Sequence, residues 1–171
     1  KPALSGLWPN KIGTNVVLDL GASIDCSEKN LIDFSLMGSA LFKALFPNEE
    51  PKVALLNIGS EELKGTEMIK ATYKTLNNQS HKIYSFKGYI EGNEMMNGDV
   101  NVIVTDGFTG NVALKTAEGT ANFITNEIKN AMTGNLFGKI ASGVSESFGL
   151  VCPCGLWTGI PLGIIEELLP W

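Results

Sequence analysis

Apolar residues in this chain come in short continuous runs, and between the runs they fall at helical spacing. Asn15-Val16-Val17-Leu18-Asp19-Leu20 is such a run, closed by Gly21-Ala22-Ser23, and it predicts a buried strand followed by a turn. Ser27 offers an N-cap, and residues 28–46 place Leu31, Phe34, Leu41 and Leu45 on one helical face until Pro47 stops the helix. Lys52-Val53-Ala54-Leu55-Leu56-Asn57 predicts a second strand, ending in a polar loop bracketed by Gly59 and Gly65. Thr66 can cap a helix whose inner face holds Met68, Ile69, Tyr73 and Leu76. Residues 83–90 and 100–105 predict two further strands, and a long helix follows Asn111 to about Met132.

Strands that alternate with helices and are continuously apolar belong to a parallel sheet covered on both faces. The fold class expected is therefore α/β with a mainly parallel sheet. In such sheets ligands bind beyond the carboxyl ends of the strands. Here each end carries a glycine-bearing polar turn: Asp19 with Gly21-Ala22-Ser23, Asn57 with residues 59–65, Gly88-Tyr89-Ile90-Glu91-Gly92, and Asp106-Gly107-Phe108-Thr109-Gly110-Asn111. Parallel strands would gather all four turns on one edge.

The last of these turns is the richest in chemistry. Gly107 and Gly110 allow the backbone to approach an anion, the helix after Asn111 adds free N–H groups and a positive dipole end, and Thr109 and Asn111 add side-chain donors. The competing reading is a plain strand–turn–helix joint with Asp106 or Thr109 as a cap. Lys64, between Leu63 and Gly65, can bring a positive charge to a phosphate or a developing oxyanion. It could equally be a solvated surface lysine. Glu61 and Glu62 could serve as a general base, hold Lys64, or be a solvated turn. For Asp19 the preferred reading is a cap of the turn that follows, and Lys115 and Glu118 stand at ion-pair spacing.

Composition narrows the choices. The chain has 171 residues, 44% of them hydrophobic and 18% charged, which suits one globular domain with a core. A net charge of −5 disfavours nucleic acid as a partner. The cysteines Cys26, Cys152 and Cys154 give no even set of bridges and read as reduced thiols. The single histidine, His81, lies in a polar stretch, so neither a His-based triad nor a zinc site can be assembled. No Gly-x-Gly-x-x-Gly follows the first strand, which disfavours a dinucleotide site. The N-terminus has no signal-peptide pattern and reads as the middle of something longer. The tail from Phe148 to Trp171 is apolar and rich in Gly and Pro. Pro153 and Pro161 argue against a membrane-spanning helix there.

Several motifs in order and at matching spacing carry a family resemblance. They are Pro2-Ala3-Leu4, Val17-Leu18-Asp19-Leu20-Gly21-Ala22, Met37-Gly38-Ser39, Leu55-Leu56-Asn57-Ile58-Gly59, Glu62 with Lys64-Gly65, and Asp106-Gly107-Phe108-Thr109-Gly110-Asn111-Val112 with Leu114-Lys115 and Glu118-Gly119. Over residues 1–142 the chain resembles the phosphate acyltransferases named PlsX. Residues 143–171 form a divergent tail outside that domain. Gly88-Tyr89 stands where the family usually has Gly-Asn, and Ser23 where it usually has Asn. Members also extend upstream of Lys1, and they carry a glycine-rich loop and a histidine-bearing motif past residue 142.

The resemblance implies a three-layer α/β/α sandwich, similar to phosphate acetyltransferases and isocitrate dehydrogenase-like folds, working as a homodimer without a cofactor. It implies transfer of a fatty acyl group from acyl carrier protein to inorganic phosphate, in the cytoplasm with peripheral membrane association. Lys64 and Asn111 are then the expected catalytic residues. Asn57, Gly59, Glu62, Asp106, Gly107, Thr109 and Gly110 are the expected substrate-binding residues. Two alternatives stand beside this: a short-chain enzyme using acyl-coenzyme A, and an inactive module for dimerisation or membrane contact.

Overall fold

The computed structural model describes residues 1–78 and 83–133. Among them the order is β1 (Ser5–Asn10), β2 (Gly13–Leu18), α1 (Glu28–Leu45), β3 (Lys52–Leu56), α2 (Glu67–Asn78), β4 (Ser85–Ile90), β5 (Val102–Val104) and α3 (Gly107–Thr133). The five strands form one sheet in the order β1-β2-β5-β3-β4. β2, β5, β3 and β4 are mutually parallel, and β1 pairs antiparallel with β2. This is the expected α/β class with a mainly parallel sheet.

The three central strands are buried on both sides, which is why their cores are continuously apolar. Val16, Leu18, Val53, Leu55, Val102 and Val104 share a core with Leu31, Phe34 and Phe42 of α1 and Ile69 and Leu76 of α2. Val17, Ala54 and Ile103 alternate to the opposite face, and each is also fully buried. Both faces are therefore covered, as an α/β/α sandwich requires. Each apolar side chain fully buried in this way stabilises by roughly 1.5–3 kcal/mol.

The Met37-Gly38-Ser39 stretch has a packing role. A Cβ on Gly38 would come 2.7 Å from both Leu18 Cδ2 and Val102 Cγ1, so glycine lets α1 lie flush on β2 and β5. Ser35 and Ser39 are fully buried beside it, their hydroxyls donating to the carbonyls of Leu31 and Ser35. Ser27 caps α1 as expected, and Asn30 completes the capping box. Thr66 Oγ1 accepts from Ile69 N at 3.3 Å, the cap expected for α2.

Two elements differ from the sequence reading. β1 was not expected, because its segment lacks β-branched residues and contains Pro9, which an edge strand tolerates. β4 runs to Ile90, as expected for residues 83–90, so Gly88, Tyr89 and Ile90, also grouped with the turn at the strand end, lie in the strand itself. Gly88, at φ +90°, sits where the β3–β4 register slips by one residue. The bulge turns Phe86 and Tyr89, three apart, onto the same face, where both rings meet Tyr73 of α2.

Lys1–Leu114 forms one compact unit and the chain from Lys115 another. In the second unit the described residues continue α3 to Thr133, with Lys115 Nζ 2.8 Å from Glu118 Oε2, the pair expected from their spacing. His81, Cys152, Cys154 and the tail lie outside the described residues. No helix among the described residues is long and apolar enough to cross a membrane.

Candidate functional site

Because β2, β5, β3 and β4 are parallel, their carboxyl ends share one edge. Leu18, Val104 and Leu55 are level across three strands, and Leu55 is level with Tyr89 on the fourth. The segments following these strands are therefore neighbours along one rim, as the sequence reading required.

Asp19 organises the first of them. It is fully buried, and its carboxylate accepts four backbone N–H groups. Leu4 N, Gly21 N and Ala22 N donate to Oδ1 at 2.9, 3.1 and 2.9 Å, and Ser23 N donates to Oδ2 at 2.6 Å. A buried carboxylate needs this many donors to offset its lost hydration. Asp19 thus caps the turn, as preferred from sequence, and also ties residue 4 to it. The Leu18–Asp19 peptide is cis.

The segment after β5 corrects the sequence reading. Residues 107–111 are not a turn ahead of a helix; they are the first residues of α3 itself. Asp106 caps that helix, its Oδ1 accepting from Thr109 N and its Oδ2 from Thr109 Oγ1, both at 2.8 Å. Gly107 N donates to Ser23 O and Gly110 N to Asp106 O, each at 2.9 Å. Of the amides near Gly110, expected to cradle an anion, those of Gly107, Thr109 and Gly110 are thus already engaged within the protein. The two glycines serve packing. A Cβ on Gly107 would lie 2.6 Å from Ser23 O, and one on Gly110 only 1.9 Å from Asp19 O. Asn111, exposed, is the next residue, with its Cβ and Cγ 3.5 Å from the place a Gly21 side chain would fill.

The loop after β3 is equally fixed. Asn57, largely buried, donates from Nδ2 to Gly59 O at 3.0 Å and to Lys64 O at 3.1 Å, clasping the loop at both ends. Gly65 is at φ +94°, and a Cβ there would meet Asn57 Oδ1 at 2.4 Å. The side-chain donors of Asn57 are therefore spent on shaping the loop. Lys64 does reach outward: its side chain is half exposed, and its ammonium stands 4.0 Å from Glu61 Oε1, the outer limit of an ion pair. Glu62 is drawn the other way, accepting from the Tyr73 hydroxyl at 3.2 Å. Burial raises the Tyr73 pKa above the ordinary phenol value, and the Glu62 hydrogen bond raises it further. Burial likewise raises Tyr89, whose hydroxyl is enclosed without a hydrogen-bond partner.

The rim thus brings Lys64 and Asn111 to one edge on either side of β5. Lys64 follows β3, and Asn111 lies against the turn after β2. Two strand spacings, roughly 10 Å, separate those anchoring strands. Asp106 and Thr109 hold each other. The sequence reading gave Tyr73 only a core role; its link to Glu62 could have been suspected only from α2 packing beside the loop. Cys26 donates to Ser23 O at 3.3 Å, and burial pushes its thiol above the usual range, so it is protonated at neutral pH. Among the described residues no group of His, Cys, Asp and Glu is placed to hold a metal.

Comparison with known proteins follows the same lines. The family model described as "Fatty acid synthesis protein" matches residues 1–147. A phosphate acyltransferase of Pelagibacter ubique is 72% identical over 142 residues, covering 83% of this chain and 43% of that protein. Those of Maricaulis maris and Agrobacterium fabrum are 44% and 42% identical, covering 84% and 86% of this chain and 41% and 42% of theirs. The chain spans under half the length of these relatives. With a match of this extent over the same motifs that build the rim, the chain belongs to the phosphate acyltransferase, or PlsX, family.

Proposed function

We propose that this rim binds inorganic phosphate and an acyl thioester, and that the protein transfers a fatty acyl group from acyl carrier protein to phosphate. The observation that supports the reading is that Lys64 and Asn111 belong to segments on one edge, Lys64 with its carbonyl held by Asn57 and Asn111 lying against Gly21 of the Asp19 turn. The family name supports the acyl transfer.

The chemistry asks little covalent work of the protein. A phosphate oxygen attacks the thioester carbonyl carbon, forming a C–O bond and a tetrahedral oxyanion. The C–S bond then breaks, and the phosphate hydroxyl proton ends on the departing thiol. Phosphate is the nucleophile, so no activated serine or cysteine is required, and the protonated Cys26 has no part. Lys64 would neutralise phosphate or oxyanion charge, and Asn111 would orient phosphate or donate to the oxyanion. Because the amides of Gly107, Thr109 and Gly110 are engaged, side chains bear this task. Glu61, beside Lys64, must give way when phosphate binds.

The carrier-protein thioester, the dimer and the peripheral membrane contact belong to the same proposal. Phosphate titration by calorimetry tests its base: the chain should bind phosphate, and Lys64→Ala should weaken binding by about tenfold or more, the value of one charge-assisted contact. Equal binding by both proteins, or none by the parent, would remove the reading. Acyl phosphate formation from acyl carrier protein thioester, run beside acetyl-coenzyme A, then separates the fatty from the short-chain reaction.

A further inference from the structure

The loop between β3 and α2 carries one cation, Lys64, and two carboxylates, Glu61 and Glu62. A carboxylate resting on the ammonium would compete with any other anion for it. Neither acid does so closely. Glu61 stands 4.0 Å away, and Glu62 is turned to α2, where it accepts from the Tyr73 hydroxyl at 3.2 Å. Two residues of chain span at most roughly 7 Å, so a released Glu62 could reach Lys64. The tyrosine is itself held in place. Its ring meets Phe86 edge-on at 5.6 Å and Tyr89 at 4.7 Å, and those two share a face only through the bulge at Gly88. The Gly88 backbone lies against the same ring, a Cβ there being 3.5 Å from Tyr73 Cε2. The irregularity in β4 thus fixes the place of a hydroxyl that acts on the lysine loop.

We propose that Tyr73 is a positioning residue of the rim: by holding Glu62 it keeps the second carboxylate off Lys64 and leaves that ammonium open to phosphate. The proposal rests on Lys64 as the phosphate-binding group. The phenol suits the task because it stays protonated and so remains a donor, burial and Glu62 both raising its pKa. The neighbouring Tyr89 hydroxyl is enclosed without a hydrogen-bond partner and does not share the work.

Inorganic phosphate, titrated by calorimetry into the full chain, Tyr73→Phe, Glu62→Gln and the double variant, tests this. Tyr73→Phe keeps the ring and loses only the donor. It should weaken phosphate binding about threefold, the size of an exposed ion pair newly formed at the lysine. In the Glu62→Gln background the same substitution should change nothing, because no charge is released. The threefold loss should also shrink in about 1 M salt, where exposed charges are screened. A loss that persists in the Glu62→Gln background and at high salt is a packing effect and overturns the proposal. Parent binding that Tyr73→Phe leaves unchanged overturns it too, with Lys64 untouched as the phosphate group. No binding by the parent removes the reading of Lys64 and this proposal with it. The contact can also be read without ligand. Followed by NMR, the Tyr73 phenol should titrate at lower pH in Glu62→Gln than in the parent, and an unmoved titration would show that Tyr73 does not hold Glu62.

Discussion

Gly110→Ala puts the packing of the rim to a sharp test. Gly110 is the fourth residue of α3, where alanine should by itself favour the helix by about 1 kcal/mol. Its new Cβ, however, would lie 1.9 Å from Asp19 O, 2.9 Å from Asp19 C and 3.0 Å from Thr105 Cγ2. Relief needs a movement of more than about 1 Å. Asp19 cannot readily supply it. Its N–H donates to Thr105 O at 3.0 Å and its carboxylate holds four amides. The helix start is pinned as well, by Gly107 N on Ser23 O. Overpacking of this kind costs about 1–3 kcal/mol or more, and a backbone clash belongs at the upper end, so the net loss should be about 2–3 kcal/mol.

Gly119→Ala is the matched control. It stands in the same helix, exposed, with nothing within 4 Å of a Cβ, so only the propensity gain of about 1 kcal/mol should remain. The two variants should differ by about 3–4 kcal/mol in urea unfolding, or roughly 6–16 °C in melting temperature for a chain of this size. If Gly110→Ala proves as stable as Gly119→Ala, α3 does not begin against the Asp19 turn as described, and the case for Asn111 as a fixed rim residue falls with it.

Two further outcomes are expected. Asp19→Asn sets an amide donor against one or more backbone N–H groups and removes the charge from four hydrogen bonds. It should cost about 2–4 kcal/mol in the same urea assay, and a change below about 0.5 kcal/mol would show that the carboxylate does not hold the turn. All three tyrosines are shifted upward, Tyr84 to about 12. The folded protein therefore keeps phenol protons that the unfolded chain releases near pH 10, so stability should be intact below that pH and fall as pH rises toward 12. Phenolate absorbance of the native protein should lag that of the urea-unfolded chain, and coincident curves would reject the buried phenols.

Much of this was legible in the sequence, for identifiable reasons. Strands β2, β3 and β5 show as unbroken apolar runs because both their faces are buried, and Ser27 and Thr66 show as caps because their hydroxyls meet local amides. β1 was not legible, since its pairing depends on β2 and its own residues have little strand preference. Nor was the bulge at Gly88: Phe86 and Tyr89 share a face only because Gly88 takes φ +90°, which no periodicity shows. The stretch at residues 106–111 misled most instructively. Two glycines before a helix suggest room for an anion, yet that room is filled by Asp19 O and Ser23 O of the neighbouring turn. Glycine spacing records a close approach without saying what approaches.

That filling changes how the site must work. A rim that offered free amides could follow its ligand with small backbone adjustments. Here the amides of Gly107, Thr109 and Gly110 are committed, and Lys64 and Asn111 stand on separately fixed supports. Asn111 is referenced through the Asp19 turn to β2, and Lys64 through Asn57 to β3, with β5 hydrogen-bonded between them. Their supports are then tied to one another through the sheet. Such a frame suits a reaction in which phosphate itself attacks, because the rate depends on holding an anion and a carbonyl in register rather than on activating a protein nucleophile. It also explains why the turn at Asp19, which need never touch a ligand, should be as sensitive to substitution as the residues that do.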